Sequence, residues 1–177
     1  MILDAFQAFS QAQNLAQVVG SYDSNILDFG IQSGIPSSAN GGGARDMGIG
    51  DDPALKLLVQ VVTAFVSAGG GTMKITMKGA IDNGSGAAAA FSSWWVSPVY
   101  TAAQMDAGAR LYDMDFPRPP QGVAIPRFVK LTYTIATATV TAGNVSSFIV
   151  IDREDQAYQS TDNSVLGGYP AGITVAN

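Results

Sequence analysis

Met73-Lys74-Ile75-Thr76-Met77-Lys78 reads as a β-strand with one buried face. Met73, Ile75 and Met77 alternate with Lys74, Thr76 and Lys78, and a period of two sends successive side chains to opposite faces of a pleated chain. Gly69-Gly70-Gly71 stands before it with the conformational freedom of a turn. Turn and strand together predict a hairpin with the run upstream. That run, Leu55 to Phe65, carries Leu55, Leu57, Val59, Val61 and Phe65 on one parity, and Leu58 and Val62 on the other beside Lys56 and Gln60. The pattern predicts a strand buried on one face and partly covered on the second.

Outward from this pair, Trp95 to Tyr100, Arg110 to Phe116, Arg127 to Ile135 and Asn144 to Ile151 are further strand candidates, each bounded by Gly, Pro or Asn. Val129, Leu131, Tyr133 and Ile135 share a face opposite Lys130, Thr132 and Thr134. Asn25-Ile26-Leu27-Asp28-Phe29-Gly30 is a shorter strand-like run. Short strands between turn clusters, with no long helical period after residue 20, predict an all-β chain built as a jelly roll or antiparallel β-sandwich.

The ends read differently. Residues 1–20 set Ile2, Leu3, Phe6, Phe9 and Leu15 among Gln, Ala and Ser, a spacing that fits either a short amphipathic helix or an extended arm. Gly34 to Gly43, with Pro36, Ser37, Ser38, Asn40 and three consecutive glycines, reads as a long flexible loop. The Gly-rich stretch from Asp162 to Asn177 reads as an arm outside the core. The expected organisation is an N-terminal arm over 1–20, a jelly-roll domain over 21–158 and a C-terminal tail over 159–177.

Composition narrows the function. The 177 residues suit one domain, which buries roughly 70% of the surface its unfolded form exposes. There is no cysteine and no histidine. Disulfides, thiolate metal sites and cysteine nucleophiles are therefore excluded, and the commonest general base and zinc ligand is missing. No catalytic residues, metal or cofactor are expected, and the chain is not expected to be an enzyme. A net charge of −5 repels phosphate backbones, so nucleic acid is not an expected partner. No apolar run reaches the ~20 residues of a membrane span. Met1-Ile2-Leu3-Asp4 lacks the basic region of a signal peptide, which leaves the cytoplasm, or a particle assembled there, as the expected location. Only 13% of residues are charged against 47% apolar, a balance that predicts surface covered by a partner.

Several motifs carry chemistry elsewhere and a plain structural reading here. Asp28-Phe29-Gly30 has the letters of the kinase metal-binding triplet, but no histidine exists for the catalytic loop, so it reads as a strand end closing on glycine. Gly41-Gly42-Gly43 and Gly69-Gly70-Gly71 lack phosphate-loop spacing and read as turns. Asp152, Glu154 and Asp155 surround Arg153, and Asp51-Asp52 precede Pro53, without calcium-loop spacing. Both read as solvated turns or as ion pairs to a partner chain. Trp94-Trp95 are adjacent, so strand alternation sends one ring inward and one outward; an outward ring suits a protein interface or a sugar platform. Asn83-Gly84-Ser85 and Asn144-Val145-Ser146 match the glycosylation pattern, which carries no weight without a signal peptide.

One ordered set of motifs is more specific. Ala44-Arg45-Asp46-Met47-Gly48-Ile49-Gly50, an acidic residue, Pro53 and the strand from Leu57 to Phe65 resemble the most recognisable block of the Bordetella-phage type of capsid cement (decoration) protein. Phe9-Ser10-Gln11-Ala12-Gln13 is similar to that family's opening, and Asn25 to Gly30 to its first strand. Arg127 to Tyr133, Thr141-Ala142-Gly143 and Val150-Ile151-Asp152-Arg153 before Ala157-Tyr158 are similar to its last strands and tail. The likeness covers most of residues 6–158 and departs at Ile31 to Gly43, at Ala87 to Ala90 and beyond Tyr158. It implies a jelly roll on the outer surface of a tailed-phage icosahedral capsid. There it forms a homo-oligomer, dimer or trimer, that bridges neighbouring copies of the major capsid protein. The expected partner contacts are Ile2, Leu3, Phe6, Phe9, Arg45, Trp94 and Arg153. The alternative is a carbohydrate-binding β-sandwich module that uses Trp94 or Trp95.

Overall fold

In the computed structural model, which describes residues 8–30, 55–117 and 126–151, nine strands form. They are β1 Ala8–Asn14, β2 Gly20–Asp23, β3 Leu27–Asp28, β4 Leu55–Val66, β5 Thr72–Ala80, β6 Ser92–Thr101, β7 Arg110–Asp115, β8 Phe128–Ala136 and β9 Ala142–Ile151. All pairings are antiparallel. One sheet has the order β1-β9-β4-β7; the other has β2-β8-β5-β6, with β3 continuing the β2 edge beside β8. Counting β2 and β3 as one interrupted strand, every link except β5–β6 crosses from one sheet to the other, which is the winding of a jelly roll. Among the described residues no helix is long and apolar enough to cross a membrane.

That winding corrects the hairpin expected around Gly69-Gly70-Gly71. β4 and β5 lie in different sheets, so the glycines turn the corner between layers instead of joining paired strands. Gly70 sits at φ +69°, and a Cβ on Gly71 would stand 2.8 Å from the Ala138 carbonyl oxygen. The corner is too tight for a side chain.

Alternation places the core as read from the sequence. Met73, Ile75 and Met77 of β5 and Val129, Leu131, Tyr133 and Ile135 of β8 face Leu57, Val59 and Val61 of β4 and Val145 and Ile149 of β9. Each such side chain contributes roughly 1.5–3 kcal/mol when withdrawn from water. On the second face of β4, Leu58 is buried and Val62 exposed. The β4–β9 register shifts after Val61 and again after Thr63, so β4 carries extra residues there. These bulges return Phe65 to the core, where its ring lies so close to Gly143 that a Cβ would be 2.7 Å away.

The first 20 residues differ from expectation. Ala8–Asn14 is neither helix nor free arm but the edge strand β1, paired to β9, and Leu15 is fully buried. The sandwich therefore begins at Ala8, not at residue 21. Its reason is chemical: Phe9 is 0% exposed, and Ser10 joins a hydrogen-bonded chain through the core. Ser10 Oγ donates to Gln13 Oε1 at 2.6 Å, so the Tyr133 hydroxyl must donate to Ser10 at 2.9 Å and the Ser147 hydroxyl to Tyr133 at 2.7 Å. Gln13 Nε2 continues the chain to the Asp23 carbonyl at 3.0 Å. Tyr133 belongs to one sheet and Ser10 and Ser147 to the other, so the network ties the layers together. Burial, against the opposing pull of the Ser10 and Ser147 hydrogen bonds, pushes the Tyr133 hydroxyl up to about 12. The 1–7 segment and the expected 159–177 tail lie outside the described residues.

Candidate partner-binding end of the sandwich

Strand directions sort the links between strands into two ends. At the Val66 end lie β1–β2, β4–β5, β6–β7 and β8–β9, short links in which Asp106 is the one charged residue. At the Leu55 end, Ala8 begins β1, Gly30 follows β3, Leu55 begins β4, Pro117 follows β7, Pro126 precedes β8 and Ile151 closes β9. The segments 1–7, 31–54, 118–125 and 152–177 are therefore all attached at this end. Five of the seven expected contact residues, Ile2, Leu3, Phe6, Arg45 and Arg153, fall in them, outside the described residues.

Of the other two, Phe9 is corrected, and Trp94 packs against the core while staying partly exposed. Phe9 is not available to a partner, because it is fully buried in the core. Ala8 pairs with Phe148 but Ser10 with Ser147, so Phe9 is an extra residue in a bulge, and the bulge lets Phe9 and Ser10 both turn inward. Trp94 is handled the same way. Met77 pairs with Trp95 but Lys78 with Ser93, which leaves Trp94 as the extra residue. The expected split of the two tryptophans across the sheet does not occur: both rings pack against the core. Trp94 lies over Gly79, where a Cβ would come within 2.0 Å of its ring, and Trp95 meets Tyr112 edge-on with centroids 4.6 Å apart. The outward platform on which the carbohydrate alternative relied is absent at this pair. Trp94 Nε1 is buried without a hydrogen-bond partner among the described residues.

What holds the Leu55 end together is an arginine that the sequence alone did not mark. Arg127 grips Asp28 with two parallel bonds, Nε to Oδ1 and Nη2 to Oδ2, each 2.8 Å, and donates from Nη1 to Asp82 Oδ2. Its guanidinium also lies 4.8 Å from the centroid of the Phe128 ring. The three residues come from the end of β3, the β5–β6 link and the start of β8, so the clamp draws three segments to one point. The two carboxylates hold Arg127 charged, with a proton affinity above the ordinary guanidinium range, led by the Asp28 hydrogen bonds. Asp82 is held below the usual carboxylate range first by the Gly86 and Gly84 amides and then by Arg127. Asp28 also accepts the Gly30 N–H at 2.8 Å, the strand end closing on glycine that the sequence predicted.

A second ion pair lies on the outer face of the β2-β8-β5-β6 sheet. Lys78 and Lys130 stand directly opposite each other, an arrangement that costs free energy unless an anion is near. Asp23 supplies it, accepting from Lys130 Nζ at 2.5 Å and Thr132 Oγ1 at 2.6 Å. Burial pushes the Asp23 carboxyl up, but these bonds and the Lys130 and Lys78 charges outweigh it, and the net shift is downward.

The model of the Bbp16 family matches residues 9–149, from the bulge of β1 almost to the end of β9. The chain belongs to the Bbp16 family. This is a bacteriophage protein family, and the match spans both sheets of the jelly roll. No curated protein matches the chain. Within the Bbp16 match fall the Arg127 clamp, the Tyr133 network and both tryptophans.

Proposed function

We propose that this Bbp16-family chain is a capsid cement protein. It binds the outer surface of a tailed-phage icosahedral head and bridges neighbouring major capsid proteins, working as a small homo-oligomer. The observation that carries the reading is convergence at one end. The chain segments that hold Ile2, Leu3, Phe6, Arg45 and Arg153 are all attached at the end of the sandwich where Arg127 joins Asp28 and Asp82. That arrangement suits a clip. Many modest contacts from several segments act together when the body that presents them does not deform, so effective concentration does the work of strong individual contacts. Packaged DNA presses a filled head outward, and a ligand that binds only the assembled shell stabilises it by mass action.

The test is cosedimentation of the purified chain with heads stripped of cement protein. Wild type is expected to bind to saturation, and a chain lacking residues 1–7, cut before β1 so that the sandwich is preserved, is expected to lose occupancy. Full occupancy by that truncation and by R45A/R153A would remove the assignment of these contacts. Failure of the wild-type chain to bind heads would remove the cement reading itself.

A further inference from the structure

The β5–β6 link contains Asp82-Asn83-Gly84-Ser85-Gly86, and Asn83 to Gly86 are exposed. Asn83 Oδ1 accepts the Ser85 N–H at 2.9 Å, the Ser85 hydroxyl at 2.8 Å and the Ala87 N–H at 3.4 Å. The two backbone N–H groups can only donate, which fixes the oxygen on that side and turns Nδ2 away. Asn83 Nδ2 makes no hydrogen bond among the described residues. Gly84 follows at φ +92° with no Cβ to shield its nitrogen, and its N–H donates to Asp82 Oδ1 at 2.7 Å.

We infer that Asn83 is a self-modification site, deamidated by the Gly84 nitrogen in a loop that supplies its own oxyanion donors. Hydroxide from solvent, which reaches the exposed loop, takes the Gly84 N–H proton, and the freed electron pair forms a bond to Asn83 Cγ. Negative charge develops on Oδ1, where three donors already point. The Cγ–Nδ2 bond then breaks, Nδ2 leaves as ammonia with the returned proton, and a succinimide remains. Water opens that ring at either carbonyl to give aspartate or isoaspartate. One water is consumed and one ammonia released, with no change of oxidation state. The product places a new carboxylate beside Asp82, and the isoaspartate form also lengthens the backbone of the loop that Arg127 holds.

The same chain contains an internal reference, Asn40-Gly41, which follows Ala39 instead of an acid. Full-length protein held at neutral pH, sampled over time and mapped by peptide mass spectrometry that separates aspartate from isoaspartate, reads both positions together. Conversion at Asn83 is expected to be faster in the folded chain than in the chain held in denaturant. S85A is expected to slow it by about tenfold while leaving Asn40 unchanged. S85A alters only the loop and leaves both Arg127 ion pairs in place. A rate at Asn83 that is unchanged in S85A would show the Ser85 bond to be without effect, a higher one would show it to be protective, and either would overturn the inference.

Discussion

β1 and β6 lie at opposite edges of the sandwich and solve the same problem by different means. Each carries two more residues than the partner stretch it pairs with, and each uses one bulge to turn two consecutive side chains inward, Phe9-Ser10 in β1 and Trp94-Trp95 in β6. On β1 the second residue is polar, and directional bonds from Ser10 through Tyr133 to Ser147 lock it. On β6 both residues are aromatic, and shape locks them: a bare glycine beneath Trp94 and the Tyr112 ring against Trp95. One edge is stapled by hydrogen bonds, the other by steric fit. A bulge at an edge thus does more than blunt strand pairing; it turns inward one more side chain than alternation alone allows.

The largest expected effect breaks the β1 side. Phe9→Ala removes a fully buried ring and should cost about 3–5 kcal/mol in chemical denaturation. A loss below ~1 kcal/mol would mean that β1 is peripheral after all. On the β6 side, Gly79→Ala introduces a Cβ 2.0 Å from the Trp94 ring and 2.7 Å from Pro126, and should cost roughly 1–3 kcal/mol with a shift in tryptophan fluorescence. Unchanged fluorescence would separate Trp94 from that seat.

The smallest effect at neutral pH sharpens the contrast. Tyr133→Phe keeps the ring and leaves the Ser147 hydroxyl without its acceptor, a loss of about 1–2 kcal/mol. Its signature is alkaline. Because the folded hydroxyl titrates near 12 against an ordinary 10, its stabilisation is complete below pH 10 and is lost as pH rises through 12. The decline amounts to roughly 2–3 kcal/mol. Denaturation midpoints measured across this window should fall less steeply in Tyr133→Phe. A residual slope from Tyr100 and Tyr112, whose hydroxyls burial also pushes up, should remain. Identical slopes in the two proteins would exclude Tyr133 as the group responsible.

Where alternation runs unbroken the sequence was legible, and where a bulge intervenes it was not. β5 and β8 keep strict parity, so Met73 to Met77 and Val129 to Ile135 could be assigned to the core by inspection. Phe9 and Trp94 could not, since an inserted residue exchanges inside for outside and nothing local announces it. Phe9, in a segment that reads as an arm, and Trp94, one of two adjacent tryptophans that alternation would split, therefore read as partner contacts. β2 was missed because Gly20-Ser21-Tyr22-Asp23 has one apolar-bodied residue; β8 holds it through four paired positions, Ser21 with Thr134 among them. Arg127 escaped notice because its acids lie far off in sequence, one before β4 and one after β5, and only the winding brings them near.

The pairing of the first described strand with the last has a consequence for biogenesis. β9 occupies an inner position between β1 and β4, so until β9 has left the ribosome its sheet is missing an interior member and β1 has no neighbour among the described strands. Long sequence separation between partners also slows the search for them. Closure of this sheet is thus a late event in synthesis, and a chain ending before Ala142 leaves it without its interior strand.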